Sequence, residues 1–213
     1  MTDQVADQVT NEKFTIFIVD DDAAVLKALS RLLRATGYDI QSYTSPREFL
    51  TGHDATVPGC AVLDVSMPGL DGLELQQALT AGGGLRPVIF VTGKGDIPTS
   101  VRAMKAGAID FLTKPVSDAD LLGAIARAKE QDTTSRQMQA ELASIQAKIA
   151  TLTPREREVF AHVVAGQLNK QIAADLGTVE KTIKVHRGRV MEKLGVRTLA
   201  DLVRLAERAG ISR

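Results

Sequence analysis

Three carboxylates, a hydroxyl and an amine punctuate the first half of the chain, each at the end of a short apolar run. Asp20 and Asp21 follow Phe14–Val19, Asp64 follows Ala61–Leu63, Thr92 follows Val88–Val91, and Lys114 closes the run that starts at Ala108. Apolar runs of this length, bounded by turn formers such as Pro68 and Gly69, read as buried strands of a parallel sheet. Parallel strands bring their C-terminal ends to one edge, where open α/β sheets keep their ligand sites, so the five groups can converge. Clustered carboxylates repel one another unless a cation neutralises them, and carboxylates with water and phosphate oxygens suit Mg²⁺. A carboxylate held against Mg²⁺ and Lys114 can attack a phosphoryl group while the two cations neutralise the developing charge. Thr92 can give its hydroxyl to a phosphoryl oxygen. Taken alone, Asp64 is equally a turn residue capping the next loop.

Helical stretches separate these strands. Residues 23–35 put Val25, Leu29, Leu32 and Leu33 on one face and stop at Gly37. Ser45, Pro46 and Glu48 form a helix start, after a weaker alternating strand at 38–43. Further helices are expected through Leu73–Leu79, from Pro98 through Met104, and from Asp118. Five βα units in succession imply a doubly wound sheet with helices on both faces. Gly93–Asp96 lacks the GxxxxGK[ST] spacing of a nucleotide loop; Lys94 there lies beside the site, where it can tune phosphoryl lifetime. His53 and His162 have no metal-ligand companions and read as structural.

The net charge of zero conceals an asymmetry. Residues 1–123 carry 16 acidic and 10 basic side chains, and residues 124–213 carry 10 acidic and 16 basic. An acidic front and a basic back argue for two domains with different partners, and phosphate polyanions suit the basic one. No run approaches a membrane span, and the polar N-terminus lacks the basic end and apolar core of a signal peptide, so a cytoplasmic location is expected. The single Cys60 excludes an internal disulfide and reads as a buried small side chain.

Beyond residue 124 no Gly or Pro interrupts the chain until 154, so a long helix is expected. The polar stretch 130–137 breaks its apolar pattern. Met138, Leu142, Ile145, Ile149 and Leu152 then recur at heptad spacing, which fits either a coiled-coil dimer contact or packing within one chain. Thr153-Pro154-Arg155-Glu156 starts another helix. Helices at about 170–176 and 179–194 flank the tight turn Gly177-Thr178, and a last one spans about 198–209. Short helices around a Gly turn, with 12 basic against 7 acidic residues at 151–213, suggest a DNA-reading helix-turn-helix. The helix after the turn carries Lys181, Lys184, Arg187, Arg189 and Lys193, with Val185 off the Ile183/Val190 core face; the other reading of such a cluster is a solvated face. Gly188 costs that helix about 1 kcal/mol relative to Ala, tolerable if the helix must approach the duplex closely. No catalytic constellation is visible in this half.

Two resemblances follow from these motifs. VDDD at 19–22, LDVSMPGLDG at 63–72, VTGKGD at 91–96 and AMKAGAIDFLTKP at 103–115 resemble the receiver domain of two-component response regulators. LTPREREVF at 152–160, NKQIAADLG at 169–177 and KTIKVHRGRVMEKLGV at 181–196 resemble the LuxR-type DNA-binding domain. Together they resemble the FixJ-like subgroup of the NarL/LuxR family. The resemblance implies a (βα)5 receiver with flavodoxin-like strand order 2-1-3-4-5, and an all-α four-helix helix-turn-helix domain joined to it by a helical linker. The expected bounds are a flexible N-terminus at 1–12, a receiver at 13–128, a linker at 129–150 and the DNA-binding domain at 151–213.

It further implies that Asp64 is the phosphoacceptor for a histidine kinase. Asp20, Asp21, Asp64 and the Ser66 backbone carbonyl would serve Mg²⁺, or Mn²⁺ or another divalent cation. Lys114 would pair with the phosphoryl group, and Thr92 and Phe111 would be the switch residues. Lys184, Val185 and Gly188 would approach base edges, while Asn169, Thr178, Lys181, Thr182 and Arg187 would serve as phosphate or register contacts. Val179 stands where the family often has a capping Ser, and Thr178 can cap instead. The implied partners are the kinase, double-stranded DNA, RNA polymerase and a second copy upon phosphorylation, with no membrane; the activity is transcription activation rather than enzymatic. A phosphorylation-independent DNA-binding or scaffold protein and a receiver-linked phosphotransfer enzyme are the alternatives.

Overall fold

A computed structural model describes residues 13–82, 86–93 and 96–211. The N-terminus expected to be flexible and the Lys94 side chain lie outside the described residues. The chain divides into two compact units, residues up to Ser135 and from Arg136 onward.

The first unit is a five-stranded parallel sheet: β1 (Thr15–Val19), β2 (Asp39–Tyr43), β3 (Gly59–Leu63), β4 (Val88–Thr92) and β5 (Asp110–Thr113), ordered β2-β1-β3-β4-β5. β1, β3 and β4 are buried along their whole length, which is why they read as continuous apolar runs. The edge strand β2 is mostly exposed, with only Tyr43 buried and Ile40 partly so. β5 starts two residues later than the apolar run at Ala108 suggests, although the Ile109 N–H already bonds the Val88 carbonyl of β4.

Helices α1 (Ala23–Ala35), α2 (Pro46–Gly52), α3 (Gly72–Ala81), α4 (Ile97–Lys105) and α5 (Asp118–Ala150) connect and extend this sheet. One face packs Phe17, Phe49, Leu63, Leu75 and Phe90; the other packs Ile16, Ile18, Leu33, Ile89, Leu121 and Ile125. On α1 the buried residues are Leu26, Leu29, Ser30 and Leu33, and the expected Val25 and Leu32 are only partly buried. The helix is rotated so that the Ser30 hydroxyl comes within 2.9 Å of that of Ser42 on β2.

The polar stretch 130–137 does not interrupt α5. Asp132, within it, is buried and accepts a hydrogen bond from the Gly59 N–H at the start of β3 (3.3 Å). Close strand packing explains Gly59 itself, since a Cβ there would lie 2.0 Å from the Thr15 carbonyl oxygen.

In the second unit the end of α5 packs with α6 (Pro154–Val164), α7 (Asn169–Asp175), α8 (Glu180–Leu194) and α9 (Leu199–Arg208). Phe160, Ile172, Ile183, Val190, Leu194 and Leu202 form the core. The heptad stripe is divided: Leu152 and Ile149 join this core, and Ile145 is buried beside Leu194 and Leu205, while Met138 is 66% and Leu142 37% exposed. Thr153 and Glu156 close the expected capping box of α6. Val179 takes the N-cap position of α8 with no side-chain cap, so the expected Thr178 cap is not formed. Among the described residues, no helix is long and apolar enough to cross a membrane.

Candidate functional site

The three consecutive aspartates after β1 take three different positions. Asp20 is 3% exposed and accepts from the Asp22 N–H (2.9 Å). Asp21 faces solvent. Asp22, which sequence reading left without a role, caps α1 by accepting from the Ala24 N–H at 2.8 Å. The acidic run therefore ends one strand, starts one helix and leaves two carboxylates at the edge of the sheet.

Asp64 follows β3, with its N–H bonded to the Val19 carbonyl, so it sits beside Asp20. Its Oδ2 accepts from the Ser66 N–H (2.8 Å), and its side chain is 7% exposed. Lys114 comes from the end of β5, where its N–H bonds the Thr92 carbonyl at 2.8 Å. Its Nζ donates to Asp20 Oδ2 (2.6 Å) and Asp64 Oδ1 (3.2 Å). Burial pulls the Lys114 ammonium pKa down, but the hydrogen bonds and charges of Asp20 and Asp64 outweigh it and hold it above its usual value. Thr92, at the end of β4, is fully buried. Phe111 is partly buried, with its ring 6.0 Å from that of Phe90.

Gly72, the first residue of α3, is a constraint that sequence reading did not single out. A Cβ there would lie 2.3 Å from the Asp64 carbonyl oxygen. Only glycine lets α3 start so close to the end of β3.

Asp20, Asp21 and Asp64 bring three carboxylates to an edge with one ammonium. The excess of buried negative charge and the all-oxygen donor set fit a hard divalent cation. No three acidic, His or Cys side chains among the described residues form a ready-made metal cluster, so such an ion would also draw on backbone carbonyls and water.

In the second unit, α8 exposes Lys181, Lys184, Val185 and Gly188. Val185 is 48% exposed, and a Cβ at Gly188 would meet nothing within 4 Å. Thr178 and Thr182 are half-buried. Arg187 donates to Asn169 Oδ1 (3.2 Å), so two expected DNA contacts also tie α8 to the start of α7. Lys184 lies 3.5 Å from Glu180 in an exposed pair. Lys193, counted with the basic face in the sequence, is engaged elsewhere: its Nζ donates to Glu156 Oε2 (2.6 Å) and the Thr151 carbonyl (3.1 Å).

A receiver sheet with this acidic edge, followed by a helix-turn-helix unit, defines a response regulator that acts on transcription. The comparisons with known proteins agree. The response regulator receiver domain matches residues 16–126, and the luxR family of bacterial regulatory proteins matches residues 150–206. Nodulation protein W of Bradyrhizobium diazoefficiens is 45% identical over 94% of this chain and 88% of its own length. Transcriptional regulatory protein FixJ of the same organism is 41% identical over 92% of this chain and 96% of its own. Among solved structures, response regulator StyR superposes with a TM-score of 0.81 at 44% identity, covering 92% of this chain and 99% of StyR. The chain belongs to the NarL/LuxR family of response regulators, with FixJ among its relatives.

Proposed function

We propose that a histidine kinase phosphorylates Asp64 in a Mg²⁺-dependent reaction, and that this controls dimerisation and sequence-specific DNA binding. The observation that carries the reading is Lys114 Nζ held between the buried carboxylates of Asp20 and Asp64. An Asp64 oxygen attacks the phosphorus of a phosphohistidine; the P–N bond breaks, the imidazole nitrogen leaves with the electron pair and takes a proton, and an acyl phosphate forms. Lys114 neutralises charge on the transferring group. Asp20, Asp21, Asp64 and the Ser66 carbonyl would hold the divalent cation, which supplies further charge neutralisation when bound. Phosphorylation adds close to two negative charges and three acceptors. Thr92 moves to bond one of them and Phe111 repacks, a local charge event biasing a two-state element.

The proposed domains are a receiver at 13–128, a linker at 129–150 and a DNA-binding domain at 151–213. Dimerisation pairs two basic modules on a two-half-site operator and raises affinity through effective concentration. Lys184, Val185 and Gly188 lie on the exposed side of α8 and are assigned to base edges, while Asn169, Thr178, Lys181, Thr182 and Arg187 are assigned to phosphates and register. Transcription is activated from the cytoplasm through RNA polymerase. Beyond slow hydrolysis of its own acyl phosphate, the protein catalyses nothing on this reading. The test is phosphate incorporation from a small-molecule phosphodonor. Uptake is expected for the wild type with Mg²⁺, and none after chelation or in Asp64→Asn; uptake by Asp64→Asn equal to the wild type refutes the assignment.

A further inference from the structure

We propose that Glu156 and Lys193 form a clamp that sets the angle of α8, making Lys193 a positioning residue rather than a phosphate contact. The proposal rests on the DNA-binding reading and adds the means by which its reading helix is aimed.

Glu156 is 3% exposed, deep for a carboxylate. Its Oε2 accepts from both Lys193 Nζ (2.6 Å) and the Thr153 N–H (2.9 Å). The same ammonium donates to the Thr151 carbonyl at 3.1 Å. One lysine therefore fastens the last turn of α8 to the first turn of α6 and to the connection preceding it. Leu152 and Leu194, next in sequence to these groups, are 4% and 1% exposed, so the clamp sits on packed core rather than at a loose end.

Its leverage comes from helix geometry. Lys184 lies nine residues before Lys193, about 13 Å along the axis. A tilt of about 5° at the clamp therefore moves the DNA-facing turn by about 1 Å, enough to strain side-chain contacts to base edges. The second tie, Arg187 to Asn169, acts at the middle of α8. The buried Ile183, Val190 and Leu194 hold α8 against the core, and the two ties at different heights refine its direction. The Glu156 carboxylate is buried while the Lys193 side chain is 35% exposed; removing the lysine leaves a desolvated carboxylate without its ammonium, and removing the carboxylate's charge releases the lysine, so loss of either residue should disturb the same geometry.

The experiment uses the full-length protein and a DNA duplex enriched from a random-sequence pool by the wild type. Affinity is measured by fluorescence anisotropy across a salt series, at a temperature where circular dichroism gives each variant wild-type helix content. Lys193→Met and Glu156→Gln should each weaken binding by about tenfold without changing the slope of log affinity against log salt. The double variant should be little worse than either single, because both remove one coupled interaction. Lys193→Arg, which keeps the charge, should restore most of the binding. Lys181→Met, at a residue assigned to phosphate, is the control and should lower the slope by about one phosphate contact. A slope lowered by about one in Lys193→Met makes Lys193 a phosphate contact and overturns the clamp. Wild-type affinity in Lys193→Met, or equal loss in Lys193→Arg and Lys193→Met, also overturns it. If the wild type enriches no duplex, the DNA-binding reading fails first.

Discussion

Lys114 Nζ lies 2.6 Å from a carboxylate oxygen of Asp20 and 3.2 Å from one of Asp64, so one ammonium holds two buried carboxylates at the ends of adjacent strands. Removing it leaves two like charges facing each other with little solvent. Lys114→Met should cost about 3 kcal/mol in urea unfolding at neutral pH without a divalent cation, and added Mg²⁺ should recover part of the loss. Asp20→Asn in that background should also stabilise, by relieving the repulsion. A double variant less stable than Lys114→Met would show that the pair is not electrostatically coupled.

Gly72 makes the phosphoacceptor strand depend on a missing side chain. With a Cβ placed 2.3 Å from the Asp64 carbonyl, Gly72→Ala must shift α3 or the turn after β3. It should lower stability by about 2 kcal/mol and slow phosphate uptake at Asp64. Thermal unfolding and a phosphorylation time course check both; unchanged values would mean that the turn yields freely.

The second unit should lose the stability that Glu156 contributes as pH falls. Hydrogen bonds from Lys193 and Thr153 hold the Glu156 carboxyl at about 2, well below the usual range. A depressed carboxylate contributes stability that is present above its unfolded value of about 4.3 and is lost as pH falls through its folded value. The loss should therefore lie between about pH 4.3 and pH 2. Comparing unfolding of wild type and Glu156→Gln across that window checks it: the variant should be less stable at neutral pH, and the difference should shrink on acidification.

Gly188 separates stability from binding. Nothing lies within 4 Å of a Cβ built there, so Gly188→Ala should stabilise the unit by about 1 kcal/mol through helix propensity. The same methyl group would project from the face assigned to DNA and should weaken binding. A gain in stability with unchanged affinity would place the duplex elsewhere on α8.

The parts legible in the sequence were those carried by burial period and turn chemistry. The runs at β1, β3 and β4 are buried from end to end, and Thr153 and Glu156 cap α6 as their spacing implies. The strand order and helical second unit match the architecture implied by the resemblance. What sequence could not supply was the partner of each side chain. A heptad stripe reads alike whether it faces a second copy or its own unit; Ile149 and Leu152 pack in the core of theirs and Ile145 is buried beside Leu194 and Leu205, while Met138 and Leu142 remain exposed. Lys193 counts as one basic residue among five until its distance to Glu156 is known. Asp132 sits in a stretch that looks like solvated linker, yet it is buried against the start of β3.

The most direct measurement records phosphorylation and DNA binding on the same sample. Wild type and Asp64→Asn are incubated with a small-molecule phosphodonor and Mg²⁺, phosphate incorporation is quantified, and affinity for the wild-type-enriched duplex is measured before and after. The wild type should take up phosphate on Asp64 and bind more tightly, while Asp64→Asn should do neither. Phosphate uptake with unchanged affinity, or tighter binding by Asp64→Asn after the same treatment, would contradict control of DNA binding through Asp64.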